Sequence, residues 1–233
     1  MATLIFIIFK EKAILIVNLC AYCMFFYKKY LHFLLELTTI KNMRSTTKLM
    51  DHLEMGKVYR REFLMPYTKA VDRDLKSLSR EGTLEKVAPG LYYYPKKSRF
   101  GVLPPNDFDL VNAFLKDDPF LLFSWNDYNS LQLGLSQLYN KMVVYNRKRH
   151  EEVWLGNKLF DFQRPNKGFP TELSKEFLLV DLLNNLSELT DDPKELKRQV
   201  KAKLLSFDLD KLSLMTKRYG KVSTRKFFKE VST

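Results

Sequence analysis

Residues 68–94, TKAVDRDLKSLSREGTLEKVAPGLYYY, constrain the fold more than any other stretch. The hydroxyl of Thr68 can accept an orphan backbone N–H and so cap a helix start. Val71, Leu75 and Leu78 recur at helical spacing and predict one buried stripe. Lys69, Arg73, Lys76 and Arg80 fall largely on the other faces. Gly82 tolerates the left-handed conformation that ends a helix. Leu84–Ala88 and Leu91–Tyr94 read as two strands joined by a type II turn at Pro89-Gly90. A helix followed at once by a small hairpin is the second half of a winged helix-turn-helix, whose exposed helix face enters a DNA major groove. Two plainer readings stay open. One is a generic helix-hairpin with solvated charges, and the other is a protein docking module.

The upstream residues extend the same pattern. Ser45–Met55 reads as a helix ended by Gly56, Lys57-Val58-Tyr59 as a short strand, and Arg61–Met65 as a short helix. Pro66-Tyr67 makes the turn, since proline is excluded from a helix interior. The order is helix, strand, helix, turn, recognition helix, hairpin.

Net charge is +12 over 233 residues, which suits an anionic partner such as nucleic acid. The charge is unevenly placed. Residues 57–99 carry a net +6 and residues 193–233 a net +8, while residues 100–192 carry −5. Two basic surfaces therefore flank an acidic middle. A chain with 45% hydrophobic residues can bury a core and is not a disordered polymer.

Residues 1–42 differ from the rest. Their longest uncharged run, Ala13–Tyr27, is shorter than the roughly 20 residues a spanning helix needs. They read as an apolar extension translated from an early start codon or as a membrane anchor, with a core helix pair as a third alternative. Cys20 and Cys23, in that extension, are the only cysteines and cannot build a disulfide framework, so the expected compartment is the cytoplasm.

The expected fold is α+β. A winged helix-turn-helix occupies residues 43–100, and a linker, GVLPPN, covers 101–106. A mixed domain follows over 107–233. It begins with a helix over Asp107–Leu115, a short apolar segment at Phe120–Ser124 and a helix over Asn126–Leu133. Lys141–Asn146, Glu152–Leu155 and Lys158–Gln163 read as three strands of a small antiparallel sheet. Helices starting at Thr171, Pro193, Leu209 and Thr224 complete an all-helical end.

Enzyme chemistry leaves little trace. No glycine-rich phosphate loop or paired-histidine ligand set occurs. Asp107, Asp109, Asp117 and Asp118 lack the spacing of a calcium loop and read as helix caps and solubilising charges. His150 reads as a solvated loop residue. Neither a catalytic residue, a metal site nor a cofactor is expected. Trp125 and Trp154, in the acidic middle, offer a docking face if the chain binds protein instead of DNA.

Gly90, Tyr92, Tyr93, Pro95, Phe100 and Gly101 follow the recognition helix in an order that resembles the N-terminal region of AbiEi-type abortive-infection antitoxins of bacteria. Ser124–Leu135, SWNDYNSLQLGL, and the following Lys141–Tyr145 resemble the same family's second part. The resemblance covers roughly residues 43–165. It implies a winged domain that binds DNA upstream of its own operon and represses it. It also implies a C-terminal domain that counteracts a nucleotidyltransferase-like toxin without a stable complex. The apolar extension lies outside the resemblance and implies a membrane partner only if it is genuine. Lys69-Ala70-Val71 matches the family's small-residue helix start only in part.

Lys69, Arg73, Lys76, Ser77 and Arg80 are the candidate groove residues. Arg61 and Thr68 are candidates for the flanking DNA backbone, and Tyr93, Lys96, Lys97 and Arg99 for phosphate from the wing side. The basic tail (Lys217, Arg218, Lys221, Arg225, Lys226, Lys229) reads as a solvated helix face or a second phosphate contact.

Overall fold

A computed structural model describes residues 46–135 and 138–231. The apolar extension, Cys20, Cys23 and the expected start at Met43 lie outside the described residues. Among the described residues no helix is long and apolar enough to cross a membrane.

The chain forms two compact units. One comprises residues 46–53 and 63–83, the other residues 54–62 and 84–231. In the first unit, residues 46–50 are helical and a turn follows at 51–52, so the helix expected to reach Met55 is shorter. His52 stacks on Tyr67, with ring centroids 4.0 Å apart. The helix expected from Thr68 begins at Val71 and runs to Arg80 (α2; the four-residue turn Arg61–Leu64 is α1). Val71, Leu75 and Leu78 are buried, as the stripe predicts. Its end closes as a Schellman motif. Thr83 N–H donates to Leu78 O and Gly82 N–H to Ser79 O, with Gly82 at φ +71°.

The second unit is mixed α and β. Val58–Arg60 (β1), Glu85–Ala88 (β2) and Leu91–Tyr93 (β3) form an antiparallel sheet in the order β1-β3-β2. Gly90 takes φ +76°, as the type II turn demands. Lys96–Ser98 (β4) and Gly101–Leu103 (β5) form a separate hairpin. The first half of the expected linker is therefore a strand. Ser98 makes this turn, its hydroxyl accepting Phe100 N–H and donating to Gly101 O.

Asp107–Leu115 (α3) starts where expected, with Asn106 accepting the N–H groups of Phe108 and Asp109. The main sheet has four strands: Leu121–Ser124 (β6), Lys141–Tyr145 (β7), Glu151–Leu155 (β8) and Lys158–Gln163 (β9). Their order is β6-β7-β9-β8, and β7 runs parallel to β9. The sheet is thus mixed and larger than the three antiparallel strands expected. Side-chain polarity fits the order. The interior strand β9 carries the fully buried Phe160 and Phe162, whereas the edge strand β8 carries exposed Glu151, Glu152 and Trp154.

Alternation along β7 separates two cores. Val143 and Tyr145 join Leu121, Phe123 and the helical end on one face. Val144 joins Phe160, Phe162, α3 and the β2–β3 hairpin on the other. Asn126–Leu133 is a 3-10 turn over Trp125–Leu131, not an α-helix. It is started by a capping box between Ser124 and Asp127. The helix expected from Thr171 begins at Lys175 (Lys175–Asn184, α4), because Ser174 supplies the capping hydroxyl to Phe177 N–H. Pro193–Lys203 (α5), Leu209–Tyr219 (α6) and Val222–Val231 (α7) follow, with Asp192 and Asp208 as N-caps of α5 and α6.

Candidate functional site

On α2, Arg73, Lys76 and Arg80 are exposed at i, i+3 and i+7, which places them along one stripe opposite Leu75 and Leu78. Lys69 is exposed just before the helix. Ser77 is half-buried and donates to Glu81 Oε1 at 2.8 Å, so its hydroxyl is already engaged.

The sequence reading missed Asp74. Its carboxylate is 1% exposed on the apolar side of α2. It accepts a hydrogen bond from Thr68 Oγ1, and that oxygen accepts Ala70 N–H at 3.2 Å. Thr68 therefore braces the turn before α2 instead of capping the helix directly. Arg73 Nε and Nη2 both lie 3.4 Å from Asp74 Oδ1, which orients the guanidinium at its base while the side chain stays half-exposed. The available signal was a carboxylate between Val71 and Leu75 on an otherwise apolar stripe, since a buried charge must find partners.

Among the strand candidates, Lys96, Lys97 and Arg99 are exposed on the β4–β5 hairpin, beside Phe100 at 97% exposure. Arg61 is half-buried, and its N–H donates to Gly90 O at 2.8 Å. Tyr93 is a correction. It is 1% exposed, and its hydroxyl donates to Leu103 O at 2.8 Å, so the ring belongs to the core and reaches no phosphate. It shares a strand face with Leu91, and that face packs on Leu110, Val111 and Phe160, leaving Tyr92 and Tyr94 half-exposed. Trp125 is likewise buried, edge-on to Tyr139 at 5.1 Å, so only Trp154 of the two tryptophans reaches the surface, at 63% exposure.

The acidic residues weighed as metal ligands are committed to ion pairs, except Asp109. Asp107 pairs with Lys158 at 2.8 Å, Asp117 with Arg60 at 2.8 Å and Asp118 with Lys148 at 2.6 Å. Among the described residues no group of three His, Cys, Asp or Glu side chains is placed to hold a metal ion.

A second site lies in the main core. Asp181, on α4, is buried and accepts Tyr145 Oη on Oδ1 and Tyr128 Oη on Oδ2, each at 2.7 Å. Asn185 Nδ2 lies 3.4 Å from both Asp181 Oδ2 and Tyr145 Oη. Burial raises the Asp181 carboxyl to about 6 against the lowering effect of the two tyrosine hydrogen bonds. Burial, reinforced by the Asp181 charge, raises both tyrosines above their ordinary value. A cavity of about 850 Å³ opens over this cluster, walled by Tyr145, Phe177 and Tyr219, with Arg164, Glu188 and Lys221 at its sides. Lys221 Nζ is tied to Asn184 O at 2.8 Å. The cluster joins the 3-10 turn, β7 and α4 through one carboxylate. A helix apolar on nearly every side is a buried helix, so its lone Asp was the clue in sequence.

A crystal structure of the Rv2827c protein from Mycobacterium tuberculosis is similar over 80% of this chain and 74% of that chain, at a TM-score of 0.48 and 13% identity. No curated protein matches the chain. The sequence profile of DUF6088, a family of unknown function, matches residues 45–201, and the chain belongs to that family.

Proposed function

We propose that the chain is a DNA-binding transcriptional regulator of the antitoxin type. It represses its own operon and counteracts a nucleotidyltransferase-like toxin without a stable complex. The order of elements from residue 46 to the β2–β3 hairpin is read as a winged helix-turn-helix, with α2 as the helix that enters the major groove. One observation carries the reading: a single helix buries Val71, Leu75 and Leu78 and presents Arg73, Lys76 and Arg80 on its exposed stripe. The Asp74 carboxylate supports it further. A guanidinium held at its base is better prepared for bidentate contact with a guanine edge than a freely rotating one. Lys96, Lys97 and Arg99 supply phosphate contacts, which set position and not sequence.

The test is fluorescence anisotropy of the full chain on the duplex upstream of its own gene, against a scrambled duplex, over a salt series. Tighter binding to the native duplex, with affinity falling steeply as salt rises, is the expected result. Binding to neither duplex at low salt overturns the reading. A protein docking module is then the remaining class, favoured by Trp154 standing exposed on the edge strand β8.

A further inference from the structure

The helical end carries a groove of about 620 Å³ whose chemistry has one sign. Its walls are apolar: Leu205, Leu209, Leu212 and Phe228 from the turn after α5, from α6 and from α7. Its charged lining residues are all cationic: Lys217 from α6, and Arg225 and Lys229 from α7. Neither Lys217 nor Arg225 makes an ion pair among the described residues. Leu205 is 89% exposed at the mouth, and Leu209 is exposed beside it. An apolar surface of this kind rimmed by polar groups marks an interaction site.

Thr216 lines the groove and is buried, and its hydroxyl has no hydrogen-bond partner among the described residues. The groove also lies within the basic segment 193–233, which carries net +8.

We propose that this groove docks an amphipathic, acidic helix of a partner protein. A helix lays its apolar face into such a groove through anchors at i, i+3, i+4 and i+7. Arg225 and Lys229 are one helical turn apart, the spacing of carboxylates at i and i+4 on an opposing helix, and Lys217 adds a cation from another helix. A lone acyl chain brings one carboxylate, which does not match both Lys217 and Arg225 on separate helices. The proposal does not rest on the DNA-binding reading, because its residues lie outside the α2 stripe and the β4–β5 hairpin.

The test is anisotropy of a fluorescein-labelled synthetic 18-residue peptide with leucines at helical anchor spacing and glutamates on both flanks, titrated with the full chain at physiological salt. A scrambled peptide of the same composition controls for bulk charge. Binding of the patterned peptide at least about tenfold tighter than the scrambled one is expected. Leu205→Glu and the Lys217→Glu/Arg225→Glu pair are each expected to weaken it by at least about tenfold with unchanged circular dichroism and Tm, since the three side chains are exposed. Leu205→Glu leaves duplex affinity unchanged. Equal binding of patterned and scrambled peptides overturns the proposal. So does insensitivity to Leu205→Glu, displacement of the peptide by duplex DNA with no effect of Leu205→Glu, or binding of dodecanoate in place of the helix.

Discussion

The hydroxyl of Tyr145 donates to Asp181 Oδ1 at 2.7 Å, joining β7 to α4 across 36 positions of sequence. Burial raises this carboxyl from 3.8 to about 6, so the folded protein holds a proton that the unfolded chain has released. The contribution of this group to stability therefore falls as pH rises from about 4 to about 6 and is constant above. The upward shift corresponds to about 3 kcal/mol lost over that window. In Asp181→Asn this slope is expected to flatten, which Tm measured by circular dichroism between pH 4 and 8 will show. Asp181→Leu leaves two buried tyrosine hydroxyls without an acceptor and is expected to cost about 2–4 kcal/mol at any pH in that range.

The pairing of Arg73 with Asp74 makes a separable forecast for DNA. Arg73→Ala is expected to weaken the native site by about 1–3 kcal/mol if Arg73 reads a base. Equal loss on native and scrambled duplexes reassigns it to phosphate. Asp74→Asn, which weakens the hold on Arg73 and also alters the contact to Thr68, is expected to lower discrimination between the two duplexes while leaving the cations of α2 in place, provided Tm is unchanged.

On the β4–β5 hairpin, Lys96, Lys97 and Arg99 are exposed, so replacing all three by alanine is expected to leave Tm unchanged. The slope of log affinity against log salt should become shallower by about 0.9 for each cation that touches phosphate. An unchanged slope removes the hairpin from the interface.

Tyr93→Phe tests the corrected role of that residue. Losing the hydrogen bond to Leu103 O is expected to lower stability by about 1 kcal/mol in chemical denaturation. Duplex affinity below the unfolding transition should not change, since the ring never reaches the surface.

Some of this architecture was legible in sequence because it is local. The α2 stripe, the glycine that ends it and the Pro89-Gly90 turn depend on spacing and on one backbone conformation each. The start of α2 was misplaced because Thr68 spends its hydroxyl on Asp74 and Ala70. The parallel pairing of β7 with β9 was not legible, since it skips β8 in sequence, and side-chain alternation specifies a face and not a lateral neighbour. Tyr93 was assigned outward because alternation says which tyrosines share a face and not which face is buried. Asp181 escaped because its partners, Tyr128 and Tyr145, are 53 and 36 positions away.

The chain leaves the first unit at Leu53, contributes residues 54–62 to the second, returns at Phe63 and leaves again at Thr83. β1, carried by that excursion, pairs with β3, whose Leu91 and Tyr93 share a core with Leu110, Val111 and Phe160. No single scission of the backbone frees either unit whole. A fragment stopping at residue 100 strips the β2–β3 hairpin of the side chains that cover it. Domain shuffling, which moves contiguous stretches of gene, cannot transplant the basic helix with its hairpins and leave the rest behind.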